Sequence, residues 1–244
     1  MLTTKELKRY ERQILIDGFG KEGQAKLKQA KVFIAGAGGL GSPIAIYLTA
    51  AGVGTIRIAD HDIIEPSNLN RQVLHWDEDT GRSKVASALE KLERMNRHAA
   101  IEVTRETITG ENAARLVADS DLIIDAMDNL PTRQRLNKVA LEKNIPFFHG
   151  AVYGFEGRAM TIIPGETACL NCLYRGVIRQ KKFPVIGIAP AIIGCIQATE
   201  VIKYIVGMGE LLTNRLLIFD GLEMTFSECR VKKDPACEHC GHPA

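Results

Sequence analysis

Gly36, Gly38 and Gly41 fall in the order G-x-G-x-x-G, directly after the apolar run Lys31 to Ala35 and directly before a helical pattern. Glycines there permit a tight turn and let backbone N–H groups approach a phosphate at a helix N-terminus. Asp60 closes the next apolar run, about 20 residues further on, where a carboxylate can accept hydrogen bonds from ribose hydroxyls. A tight turn that binds nothing is the plain alternative, and the strand–turn–helix setting argues against it. The remaining question is which nucleotide. A nicotinamide dinucleotide carries a diphosphate and needs few extra cations. This chain adds Ser67, Asn68, Leu69, Asn70 and Arg71, then Lys84 at the start of a helix and Asp128 after another apolar run. Such places lie near the carboxyl ends of neighbouring strands, where open α/β sheets bind ligands. Arg71 and Lys84 could neutralise a triphosphate and Asp128 could hold magnesium. Any one of them read alone is a solvated surface charge; together with the glycine turn they read as one site.

Cys169, Cys172, Cys237 and Cys240 form two C-x-x-C pairs far apart in sequence. Four thiolates suit a closed, tetrahedral structural zinc, with a redox dithiol or disulfide as the alternative. His239 and His242 are other available ligands, but two complete pairs leave them unnecessary. Cys195, in a run of small residues, and Cys229, in an alternating segment, read as small buried hydrophobes.

The elements that must carry these residues alternate regularly. Thr3 and Glu6 predict a capping box opening a first helix through Leu7, Tyr10 and Ile14. Strands are expected at 31–35, 55–60, 101–104, 121–125 and 145–149. Ser42 and Pro43 predict the cap and first turn of the helix after the glycines. Helical spacing covers 83–97 and 132–143. After about residue 150 the pattern changes to a strand at 159–163, a small-residue helix at 191–206 and a hairpin around Asp220-Gly221. This rhythm predicts an α/β fold with a doubly wound, mostly parallel Rossmann-like sheet, a zinc-clasped C-terminal extension and an antiparallel hairpin. One continuous domain is expected, divided into an N-terminal helical arm (1–30), a nucleotide-binding core (31–150) and a C-terminal part (151–244).

Composition narrows the class. Among 244 residues, 45% are apolar and 25% charged, and 31 Lys+Arg against 29 Asp+Glu leave a formal charge of +2. That balance argues against a nucleic-acid coat, an acidic tail or wholesale disorder. The charged N-terminus lacks the apolar core of a secretory signal. The apolar stretch Val185 to Thr199, interrupted by Pro190 and Gln197, is shorter than the ~18 residues of a spanning helix. Six cysteines without an export signal point to a reducing cytoplasm and no membrane.

Arg9-Tyr-Glu-Arg-Gln13, the glycine turn, Asp60-His-Asp62, Ser67 to Gln72, Gly81-Arg-Ser-Lys84, Asp125-Ala-Met-Asp-Asn129 and the two cysteine pairs occur in one order across nearly the whole chain. The combination resembles the MoeB/ThiF/HesA family, relatives of the ubiquitin-activating enzymes. The resemblance implies ATP-dependent adenylylation of the C-terminal glycine carboxylate of a small ubiquitin-like sulfur carrier, with release of pyrophosphate. It implies that Gly39 and Asp60 contact the adenosine part of ATP. It also implies that Ser67 to Arg71 and Lys84 line the phosphates, that Asp128 binds magnesium, and that Arg12 reaches across a homodimer into the partner's site. Residue types alone are compatible with this: a carboxylate with a pKa of about 3.5 is already ionised at neutral pH, so no general base is needed. His75, Trp76 and His149 are therefore expected to be packing or rim residues rather than proton shuttles.

Some relatives carry a cysteine that bonds covalently to the carrier in the loop crossing the site. Here Leu173 to Pro190 contains none, which favours an adenylation-only enzyme, closest to the molybdopterin-synthase adenylyltransferase branch. No rhodanese-like domain is visible, so an external sulfur donor is expected. The basic run Arg175 to Lys182 is either solvated or a carrier contact. Competing functions are a nicotinamide-dependent oxidoreductase, a family branch activating a carboxylate on tRNA or a peptide, and a non-catalytic nucleotide-binding scaffold.

Overall fold

The computed structural model describes residues 1–174 and 184–241. The chain opens with α1 (Thr4–Arg9), α2 (Glu11–Ile14) and α3 (Gly20–Gln29). It continues through β1 (Lys31–Ala35), α4 (Gly41–Ala51), β2 (Thr55–Ala59), α5 (Lys84–Met95), β3 (Ala100–Thr104), α6 (Ala113–Val117) and β4 (Leu122–Asp125). Next come α7 (Leu130–Lys143), β5 (Phe147–Tyr153), β6 (Glu156–Ile162), α8 (Leu170–Leu173) and α9 (Ile188–Val206). A hairpin, β7 (Arg215–Asp220) and β8 (Thr225–Arg230), follows.

The strands form one sheet in the order β3-β2-β1-β4-β5-β6-β7-β8. Pairings from β3 to β5 are parallel and those from β5 to β8 antiparallel. This is the doubly wound, mostly parallel arrangement with an antiparallel hairpin that the sequence pattern implies. The sheet runs through position 150 inside β5 without a break. Because side chains alternate across a strand, β1 sends Val32 and Ile34 into one core and Phe33 and Ala35 into another. Buried residues of α3, α4, α5 and α9 fill the first core, and α6, α7, α8 and the paired cysteines the second. Burial on both faces explains why β1 and β4 read as unbroken apolar runs.

From β1 the chain crosses to β2 on one side, and later returns to β4 on the other. The crevice at this reversal is where such sheets bind ligands. Two glycines let the turns above it close. Gly36 has φ +102°, and a β-carbon there would lie 2.8 Å from the carbonyl oxygen of Ala126. At Gly41 a β-carbon would overlap the carbonyl oxygen of Gly36. Gly38 differs: its β-carbon would meet only Gln72 Nε2, at 3.6 Å, an ordinary contact.

The capping box of Thr3 and Glu6 is present, but the first helix breaks at Tyr10. Tyr10 turns inward there, and its hydroxyl accepts a hydrogen bond from buried Asn96. Ser42 does not cap α4: the cap position is Leu40, no side chain caps the helix, and Ser42 Oγ is buried without a partner. The apolar stretch near 185–199 is also longer than expected. It belongs to α9, a 19-residue helix long and apolar enough to cross a membrane by length and composition. Here α9 packs against α3, α4, β5 and β6 as a core helix.

Gly41→Ala is expected to lower unfolding stability by about 2 kcal/mol or more through forced overpacking. Gly38→Ala should stay within about 0.5 kcal/mol of the native chain. Urea denaturation of both variants tests the contrast, and equal losses would contradict it.

Candidate functional site

A cavity of about 990 Å³ opens above the β1/β4 crevice. Gly36, Gly38 and Gly39 line its floor, and Asp60, Ser67, Arg71, Lys84 and Asp128 its walls. The structure therefore brings together most residues expected at the site. Gly41, Asn68, Leu69 and Asn70 do not line the cavity. Gly41 lets the turn close; Asn68 Oδ1 accepts from the Glu65 N–H, and Asn70 Oδ1 accepts from Arg71 Nη1 at 3.0 Å. Arg12 lies on the exposed face of α2, away from this cavity in its own chain.

The cavity offers an anion an uncapped helix end and the cations Arg71, Lys84 and Arg133, beside the carboxylates Asp60, Asp62, Glu106 and Asp128. Helix α4 begins at the glycine turn with no side-chain cap, so its first-turn dipoles are available to an anion. Asp60 Oδ2 accepts from Ala37 N–H at 2.8 Å, and Oδ1 accepts from Asp62 N–H at 2.9 Å, which leaves lone pairs for a ligand hydroxyl. Lys84 is 5% exposed, and its ammonium donates to Asp62 Oδ2 at 2.7 Å. An ammonium has three donors, so this pairing keeps the buried charge compensated without exhausting it. Arg71 is braced by the Ser67 carbonyl at 2.8 Å. Asp128 is exposed at the cavity, and its carboxylate accepts from Asn129 Nδ2 at 3.3 Å. An exposed carboxylate is the oxygen donor that a hard cation such as magnesium takes.

Several residues at the site carried no motif signal. Glu106, Thr107, Ile108, Val152 and Pro190 also line the cavity, as does Gln72 at the end of the Ser67 to Gln72 run. Gln72 Oε1 is buried without a partner. Pro190, in the first turn of α9, stands 3.3 Å from where a β-carbon on Gly39 would lie. Long-range packing places Glu106, Thr107, Ile108, Val152 and Pro190, so no local pattern announces them. Asn129 was legible in principle: it caps α7 by accepting from Thr132 N–H at 2.9 Å.

His75 and His149 are buried packing residues, whereas exposed His61 lines the cavity beside Asp62. His75 is buried, with Nε2 3.0 Å from the Ala37 carbonyl and Nδ1 3.0 Å from Ser87 Oγ. A carbonyl can only accept, so Nε2 carries the proton and the ring braces the glycine turn. Burial pushes the His75 pKa down. His149 is fully buried between Asp125 and Tyr174. Trp76 is exposed, with Lys91 Nζ 4.3 Å from its ring centroid.

At α8, the four paired cysteines converge. Their sulfurs are 3.9 Å apart for Cys169–Cys172, 3.7 Å for Cys169–Cys237 and 3.5 Å for Cys172–Cys240. A tetrahedron with metal–sulfur bonds of about 2.3 Å has edges of about 3.8 Å. Asn171 Nδ2 donates to Cys237 Sγ and Asp234 N–H to Cys172 Sγ, each at 3.4 Å, as thiolates accept. His239 bonds Asn137 instead, and His242 lies outside the described residues. Two other cysteines depart from expectation. Cys195 is only partly buried and Cys229 is exposed, because β8 is an edge strand with no layer over it. The basic run 175–182 also lies outside the described residues.

The model of the family described as "ThiF family" matches residues 10–239. The chain belongs to the ThiF family. It is 41% identical over 246 residues to the SAMP-activating enzyme E1 of Haloferax volcanii, covering 98% of this chain and 91% of that protein. It is 38% identical over 250 residues to the sulfur carrier protein adenylyltransferase of Thermus thermophilus, covering 98% and 92%. Among solved structures, Escherichia coli MccB with ATP is 25% identical and superposes with a TM-score of 0.84, covering 96% of this chain and 74% of that one. The ThiF-family assignment matches the resemblance drawn from the motifs.

Removing the His75 brace should orphan a buried carbonyl. His75→Leu is expected to cost about 1–3 kcal/mol, whereas His75→Gln, whose amide nitrogen can replace Nε2, should retain most of the stability. Because burial favours the neutral ring, its contribution is complete above the unfolded pKa of about 6.5 and is lost as pH falls below it. Denaturation curves across that range should show a smaller acid loss in His75→Gln; an unchanged slope would contradict the account.

Proposed function

We propose that this chain is an ATP-dependent adenylyltransferase that activates the C-terminal carboxylate of a small ubiquitin-like sulfur carrier. The observation that carries the reading is the uncapped glycine turn facing Arg71, Lys84 and exposed Asp128 across one cavity. It stands beside 38% identity to a sulfur carrier protein adenylyltransferase over nearly the full length of both chains. Neither curated relative named above is an oxidoreductase, so the nicotinamide alternative has no support there. Neither of those relatives is named for a peptide or tRNA substrate.

The chemistry needs positioning more than proton transfer. The carrier carboxylate attacks the α-phosphorus of ATP, the bond to the bridging oxygen breaks, and pyrophosphate leaves with the electron pair. The α4 N-terminus and the glycine amides hold phosphate oxygens. Lys84 and Arg71 offset charge on the phosphates, and Asp60 orients the ribose. Asp128 would hold magnesium, which supplies charge neutralisation of the leaving pyrophosphate. No side chain has to accept a proton, which fits the structural roles of His75 and His149. The lack of cysteine in Leu173 to Pro190 agrees with an adenylate passed to an external sulfur donor.

The remaining assignments extend this reading. One adenylyltransferase domain comprises the arm 1–30, the nucleotide-binding core 31–150 and the carrier- and zinc-binding part 151–244. It works in the cytoplasm as a homodimer in which Arg12 completes the partner's site. Cys169, Cys172, Cys237 and Cys240 hold one structural zinc that pins the C-terminal segment to α8.

Carrier-dependent exchange of labelled pyrophosphate into ATP, run with a panel of candidate carriers, tests the activity; no exchange with any carrier would sink it. Lys84→Ala and Asp128→Ala should each fold normally and lose on the order of 10²-fold in rate. Mixing Arg12→Ala with Asp128→Ala subunits should restore part of the activity, since one site of each mixed dimer is intact. A monomer in sedimentation, or no rescue despite proven subunit exchange, would refute the shared site.

Protein purified without chelator should contain about one zinc per chain. Chelation should raise hydrogen exchange in 167–174 and 232–241. Metal-free protein with a disulfide inside either cysteine pair would overturn the zinc assignment.

A further inference from the structure

Behind the cavity lies a buried polar chain that the adenylylation chemistry leaves unused. Asp125, the last residue of β4, is 0% exposed. Its Oδ2 faces His149 Nδ1 at 2.7 Å and its Oδ1 accepts from Met127 N–H at 3.1 Å. Arg133, on α7, pairs with Asp125 at 3.6 Å and donates from Nε to the Met127 carbonyl at 3.1 Å. Both backbone polar groups of Met127, the residue before Asp128, are thus held by one buried ion pair.

The polarity of the next link follows. An imidazole beside a carboxylate donates from Nδ1, so Nε2 is left as an acceptor. The group facing Nε2, at 3.0 Å, is the Tyr174 hydroxyl. Tyr174 therefore donates, while its ring packs edge-on against His149 at 5.5 Å between centroids. Tyr174 caps the C-terminal end of α8, the helix anchored by Cys169 and Cys172. Asp125, His149 and Tyr174 do not line the cavity.

We propose that Tyr174, His149 and Asp125 are positioning residues that fix the Met127–Asp128 turn for the magnesium–nucleotide, tying it to the cysteine-bound helix. The inference rests on the assignment of Asp128 to magnesium. Buried partners that orient a metal-binding carboxylate typically change metal affinity by about 10-fold or more when removed. Tyr174→Phe removes one hydroxyl and keeps the ring. His149→Asn keeps a donor near the Nδ1 position, while His149→Leu keeps none.

The test is calorimetric titration of the full-length chain with ATP, once with magnesium chloride and once with chelator, alongside thermal unfolding. In the native chain ATP should bind more tightly with magnesium. In Tyr174→Phe that magnesium-dependent gain should shrink about 10-fold, with metal-free ATP affinity and melting temperature close to native. His149→Asn should keep more of the gain than His149→Leu. An unchanged gain in Tyr174→Phe, or equal loss of both affinities together with a lower melting temperature, overturns the positioning role alone. A native chain whose ATP affinity ignores magnesium overturns the Asp128 assignment and this inference with it.

Discussion

The structure depends on how closely two turns approach at the β1/β4 reversal. Gly36 must stand against the Ala126 carbonyl, and Gly41 against Gly36 itself. With no β-carbon at either position, α4 can start directly over the crevice and β4 can deliver Asp125 to Asp128 beside it. Around that closure stand the parts that could handle a nucleotide: the uncapped end of α4, the carboxylates Asp60 and Asp128, and Lys84 from α5. A larger residue at Gly41 would push these parts away from one another.

Charge is arranged with equal economy. Each buried ion in and behind the cavity has its own partner: Lys84 with Asp62, and Asp125 with Arg133 and His149. Unpaired buried charge is costly, and these pairs let the site keep cations close to a ligand without leaving them desolvated and alone. Asp128, exposed and lightly bonded, stands apart from that scheme. A triphosphate accompanied by a divalent cation complements both features at once.

Much of this was legible in the sequence because the signals were local. Strand, glycine turn and helix follow one another between Lys31 and Ala51, and two C-x-x-C pairs need only convergence to make a tetrahedron. What stayed hidden depends on distant packing. Nothing near Arg133 reveals that its guanidinium will reach the Met127 carbonyl, or near Tyr174 that its hydroxyl will meet His149. The alternation in β8 resembled a half-buried strand, yet no layer covers that edge, so Cys229 faces solvent. Ser42 looked like a cap by residue type, but the turn of Gly36 to Gly41 displaces the cap position to Leu40 and buries the hydroxyl within the helix.

The central claim is that the carrier's carboxylate attacks the α-phosphorus at this site. Its most direct measurement uses a carrier whose C-terminal carboxylate is labelled with heavy oxygen, incubated with the enzyme and ATP and then trapped with hydroxylamine. Hydroxylamine attacks the acyl carbon, so one carboxylate oxygen departs with the nucleotide. The account predicts heavy oxygen in AMP and none in orthophosphate. Label in orthophosphate, with ADP as the nucleotide product, would place the attack on the terminal phosphorus and contradict it.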